Sequence, residues 1–122
     1  MFNHFQKNIA NYVIAELDDA MKAKKSGNID IEFKHLENAH VLGQESTYWH
    51  VKVHILMLLW AIRNHQLKEI FGQIFRVIGA ATMTAIGLVP QGNTGGANVS
   101  PFKVLPIKAE HQKLISNAKS NV

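Results

Sequence analysis

The sequence predicts an all-α fold: a small four-helix bundle with an extended glycine-rich C-terminal tail that ends in a short helix. Three observations carry this expectation. Apolar residues recur at three- and four-residue steps through four segments. Gly27, Gly43 and the Asn64-His65 pair fall between those segments, where helices stop or turn. No stretch alternates apolar and polar residues long enough to read as a strand. The chain has 122 residues, the length of one domain. The bundle is expected over residues 5–88 and the loop and tail over 89–122.

The first helix is expected from Phe5 to Ser26, with Ile9, Val13, Leu17, Ala20 and Met21 as its apolar stripe. Lys22, Lys24 and Lys25 suit the negative end of its dipole, and Gly27 its stop. Asp30 can cap a second helix that runs to Leu42 and ends at Gly43. Small residues at Ala15, Ala20 and Ala23, then Leu36, Ala39 and Gly43, make this first hairpin tetratricopeptide-like. One copy is visible, and a repeat array needs about three.

Ser46 or Thr47 can cap a third helix that runs to Arg63. From Val51 to Ile62 it has almost no polar face, which places it centrally in the fold. The fourth helix starts near Gln66 and ends around Gly87 and Pro90. Its apolar face of Leu67, Ile70, Phe71, Ile74, Phe75 and Ile78 is expected to enter the core. A glycine-rich loop, Gly92 to Ser100, then leads through an extended Pro101–Pro106 segment to a short helix over Lys108–Asn117.

Bulk composition narrows the function. With 47% apolar and 18% charged residues, the chain has the make-up of a soluble globular protein. Cysteine is absent, which excludes disulfides, thiolate metal sites and a cysteine nucleophile. The N-terminal residues lack a signal-peptide pattern, so a cytoplasmic location is expected. The most apolar run, Ile74 to Val89, is short for a membrane span and contains Arg76. The net charge of +4 comes from dispersed lysines rather than one basic face, so no nucleic-acid partner is expected.

The chemistry lies in the run from His35 to His54, which holds four of the seven histidines. His50 and His54 are i, i+4, and Glu37 and His40 are i, i+3, so each pair shares a helix face. The connection between helices two and three is short, which favours antiparallel neighbours. In such a hairpin, facing residues have a nearly constant sum of numbers. That sets His40 opposite His50, and Glu37 opposite His54. Glu37, His40, His50 and His54 therefore form a candidate metal site, with Glu16 of the first helix as an additional carboxylate. His35 lies about 200° away from that face at 100° per residue and is expected at the surface or in the hairpin contact.

Glu-x-x-His is also the motif of carboxylate-bridged di-iron bundles. It occurs once here, which favours a single ion. Nitrogen and oxygen donors suit a divalent transition metal, zinc or iron. An open position on the ion would make an activated water, with Glu37 as a base. The His-Glu-x-x-His pattern of zinc proteases is absent. The same residues also fit a non-catalytic protein-interaction module, in which the histidines are hydrogen-bonded core.

The loop Gly92-Asn-Thr-Gly-Gly-Ala-Asn-Val-Ser100 lacks the lysine and following helix of a phosphate-binding loop. It reads as a turn with positive φ at Gly95 or Gly96 that packs over the bundle and closes the histidine site. The block His35-Leu-Glu-Asn-Ala-His-Val-Leu-Gly-Gln44, then His50-Val-Lys-Val-His54 and Met57-Leu-x-Trp60, resembles a bacterial family catalogued as domain of unknown function 3703. The loop from Gly92 to Phe102 and the following Pro106-Ile107 extend the resemblance over nearly the whole chain. It implies a small helical protein of similar layout and no particular activity.

Overall fold

The computed structural model describes residues 4–84, 87 and 89–120. Helix α1 spans His4–Lys25, α2 Ile29–Gly43, α3 Thr47–Arg63, α4 Leu67–Met83 and α5 Ala109–Ser120. No strand forms among the described residues. The breaks follow local chemistry. Gly27 takes φ +75° after α1, a conformation that costs a Cβ-bearing residue. The Asn28 side chain, rather than Asp30, caps α2 through the Ile31 N–H, and Ser46 caps α3 through the Trp49 N–H. The expected turn at Asn64 and His65 forms, with His65 at φ +54°. The expected end of the fourth helix at Gly87 falls among residues 85, 86 and 88, which lie outside the described residues; its described part closes at Met83.

The helices associate as two hairpins, α1 with α2 and α3 with α4, and α5 lies against α1. The core sits between α1, α2, α3 and α5, on Ile9, Val13, Leu36, Leu42, Val53, Met57 and Ile115. Polar bonds set how these helices lie. Trp49 Nε1 donates to the Gln6 carbonyl, and Trp60 Nε1 donates to the Ile29 carbonyl. Arg63 holds the buried Glu32 carboxylate through two bonds, joining the end of α3 to the start of α2. Gly43 lies so close to Trp49 that a Cβ there would be 2.7 Å from the tryptophan Cβ. The sharp turn from α2 into α3 depends on that approach.

Two expectations are corrected. Helix α3 is not enclosed on all sides: Ile55, Leu59 and Ile62 are exposed. More consequentially, α4 is oriented with its apolar face outward. Phe71 is 71% exposed and Ile78 65%, while Gln73 (0%), Arg76 (9%) and Ala80 are buried. The amphipathic stripe is real, but the polar stripe faces the protein. Its hydrogen-bonding partners lie in the loop after Pro90, which fills the side of the bundle beside α4. Changing Phe71 or Ile78 to serine should therefore move the urea unfolding free energy by only about 0.5 kcal/mol. Met57→Ala, at a fully buried site, should cost about 2–5 kcal/mol in the same measurement. A comparable loss for Phe71→Ser would contradict the outward orientation.

Candidate metal centre

His40 on α2 and His50 and His54 on α3 converge in the interior. Their candidate ligand atoms all lie within 4.8 Å of one another. The i, i+4 spacing aligns His50 and His54 along one edge of α3, and His40 packs against both, with ring centroids 4.8 and 4.6 Å away. Each ring is held at Nδ1 by a residue distant in sequence. His40 Nδ1 meets the Asn93 carbonyl at 2.6 Å, His54 Nδ1 meets Gln73 Oε1 at 2.6 Å, and His50 Nδ1 meets Thr84 Oγ1 at 2.6 Å.

These partners assign the tautomers. A carbonyl oxygen only accepts, so His40 Nδ1 carries the proton. Gln73 Nε2 donates to Glu69 Oε2 and to the Gly95 carbonyl. The Gln73 carbonyl oxygen is therefore the end turned to His54, and His54 Nδ1 is also a donor. Both Nε2 atoms are left as bare lone pairs, yet they face each other at 3.0 Å. Two lone pairs at that distance repel unless a cation lies between them. Ligands of a tetrahedral ion, each 2.0–2.1 Å from it, stand about 3.3 Å apart. The His40–His54 pair stands near that separation, and the ligand atoms of all three rings lie within 4.8 Å of one another, close enough that they could hold an ion.

The electrostatics agree with neutral, ligand-ready imidazoles. Burial holds His40 well below the usual histidine range, and the neighbouring His54 and His50 add to the effect. Burial lowers His50 to about 3, with His54 contributing. Burial lowers His54 to about 4, opposed by the Gln73 bond and assisted by Arg76. A metal needs these rings unprotonated, and the fold keeps them so. The Nδ1 partners, with Glu69 behind Gln73, fix the orientation of the rings, the task that such groups perform around the ligands of metal proteins.

The structure does not bring the two carboxylates into this group. Glu37 lies one turn earlier on α2 and bonds Thr94 of the loop. Burial raises its carboxyl above the usual range, Lys34 and the Thr94 bond oppose that, and Glu69 adds to it. His40 meets His50, as the hairpin register expects, and also packs against His54, the position expected to face Glu37. Glu16 accepts from His35 Nδ1 and Asn38 Nδ2 in the α1–α2 contact. His35 is thus a hairpin-contact residue, as its angle implies. His4, His65 and His111 are not part of the group.

Gln73, Thr84, Asn93 and Arg76 were not singled out by the sequence reading. One signal was available: Glu69, Gln73, Arg76 and Ala80 fall at i, i+4, i+7 and i+11, a continuous polar-to-small stripe on α4. The glycine-rich loop closes over the histidines as expected, and Gly95 takes the positive φ, +87°. A cavity of about 300 Å³ opens beside the three rings. Phe75, Ile78, Met83, Val89 and Phe102 give it largely apolar walls, and Arg76 also lines it.

The sequence profile of the family described as protein of unknown function DUF3703 matches residues 7–115. The chain belongs to this DUF3703 family. The match takes in all three histidines and the residues that hold their Nδ1 atoms. No curated protein and no solved structure matches the chain. No helix among the described residues is long and apolar enough to cross a membrane.

Proposed function

We propose that this DUF3703 protein holds one divalent metal ion on the Nε2 atoms of His40, His50 and His54, and works through the ion's remaining position. The observation that carries the reading is the pair of unprotonated Nε2 atoms facing each other at 3.0 Å. Three neutral nitrogen donors without a carboxylate favour zinc over the two-histidine, one-carboxylate site typical of iron. Neutral ligands leave the full charge of the ion to act on a bound molecule. Zinc held there would supply Lewis-acid activation of a bound molecule at neutral pH. The three rings line the cavity, so a fourth position on the ion would open to it, which favours a site that engages a small molecule over a closed structural site. This reading leaves Glu37 out of the ligand set, since the clustered ligand atoms are those of the three histidines.

The test is metal analysis of protein purified without a histidine tag, followed by competition against a chromophoric chelator. The expected result is close to one equivalent of zinc, with His54→Ala binding at least a hundredfold more weakly. Circular dichroism checks that the variant is folded. Equal metal uptake by wild type and a folded His50→Ala/His54→Ala variant would defeat the proposal.

A second reading rests on a separate observation. Leu59, Ile62 and Phe71 expose apolar surface on α3 and α4 away from the cavity lining. Exposed apolar area of this kind favours an association surface, so an interaction role remains compatible with the metal centre rather than exclusive of it.

A further inference from the structure

Among the described residues, Arg76 carries the buried side-chain polar atom that has no hydrogen-bond partner. It is 9% exposed and lines the cavity beside the histidines. Its terminal nitrogens donate to the carbonyls of Gly72 and Val99 at 3.0 and 2.7 Å. Its Nε is buried and has no hydrogen-bond partner among the described residues. No carboxylate forms an ion pair with it among those residues. Glu69, the acidic group whose field it feels, is engaged with Gln73 Nε2 and the Ala97 N–H. A buried charge with an unmet donor is expensive. Two carbonyls hold the guanidinium in place, and its Nε–H is left without an acceptor.

We infer that the cavity binds a small organic carboxylate with an apolar tail. Its head group answers the unpaired charge of the Arg76 guanidinium in the cavity wall and would occupy the open side of the metal. Its tail lies along Phe75, Ile78, Met83 and Phe102. This deepens the metal reading and rests on it for the second contact of the carboxylate. A divalent ion on three neutral rings, next to a guanidinium, leaves the inner end of the cavity strongly positive. A single anion answers both charges. The walls beyond are apolar, so the rest of the molecule is hydrocarbon rather than phosphate or sugar. At roughly 30 Å³ per non-hydrogen atom, the share of one water in the liquid, a 300 Å³ cavity holds an acid of about ten such atoms, the size of octanoate.

Titration of the zinc-loaded and zinc-free protein with butyrate, hexanoate, octanoate and 1-octanol, followed by calorimetry, tests the inference. Zinc content is measured on the same samples. Affinity for the acids should rise about fourfold per added methylene. Octanol should bind at least tenfold more weakly than octanoate. Arg76→Gln should lower octanoate affinity at least tenfold and leave octanol unchanged. If that variant does not fold, the wild-type comparison of octanoate with octanol decides alone. Zinc binding without any preference for octanoate over octanol would overturn the inference and spare the metal reading. Preference for octanoate in a protein that takes up no metal would uphold the ligand class and remove the metal. An absence of both would overturn both.

Discussion

In the metal-free protein, unfolding free energy should fall by about 2 kcal/mol for each of His50 and His54 between pH 8 and pH 5. The cause is the burial of three imidazoles in neutral form. An unfolded histidine titrates near 6.5, whereas burial lowers folded His50 to about 3 and folded His54 to about 4. Between those limits the unfolded chain binds protons that the folded chain refuses. Stability therefore rises with pH across the window and is lost as pH falls below 6.5. His40 is shifted in the same direction by the same cause and steepens the loss. A domain with a total of about 5–15 kcal/mol is close to unfolding at pH 5. Free zinc at a thousandfold excess over its dissociation constant should restore about 4 kcal/mol at pH 7. That is a rise of roughly 15 °C in melting temperature for a chain of this size. Urea unfolding at half-unit pH steps, with and without zinc, measures both effects. A His50→Gln/His54→Gln variant should lose most of the slope between pH 6.5 and 5 and all of the zinc response. An unchanged slope in that variant would mean that the histidines are not buried neutral.

How much of this centre is legible in the sequence depends on the range of each interaction. The helices follow from local patterning and punctuation, so α1, α2 and α3 lie within a residue or two of their expected limits. His50 and His54 are recognisable because one turn of helix joins them. The partners that fix the rings are not: Asn93 is 53 residues from His40, and Thr84 is 34 from His50. No spacing rule spans such distances. Glu37 was drawn into the expected ligand set by an ideal hairpin register, but His40 meets both α3 histidines and Glu37 turns to Thr94. Helix α4 marks a different limit. Periodicity reports that a helix has two unlike faces, and burial of the apolar one is then the natural expectation. Here the inner side is taken by a loop rich in backbone carbonyls and N–H groups, and such a surface is satisfied by Glu69, Gln73 and Arg76 rather than by phenylalanine.

Gly95→Ala is expected to disable the centre without touching a ligand. The backbone at Gly95 has φ +87°, which costs a residue with a Cβ about 1–3 kcal/mol. The added methyl would also stand 2.6 Å from His40 Cδ2 and 2.9 Å from His40 Nε2. His40 cannot retreat without breaking its bond to the Asn93 carbonyl or closing further on His54. The loop cannot retreat freely either. The Gly95 N–H donates to Asn93 Oδ1, and the Gly95 carbonyl accepts from Gln73, whose other end orients His54. Either movement disturbs two ligands at once. Zinc affinity should drop at least tenfold, in line with losses on changing outer-layer groups. Gly27→Ala separates strain from the site: it has φ +75° but nothing within 4 Å of the added methyl. That variant should lose about 1 kcal/mol in urea unfolding and keep wild-type zinc affinity in the chelator competition. If Gly95→Ala behaves the same way, the loop is a lid laid on the histidines and not part of what holds them.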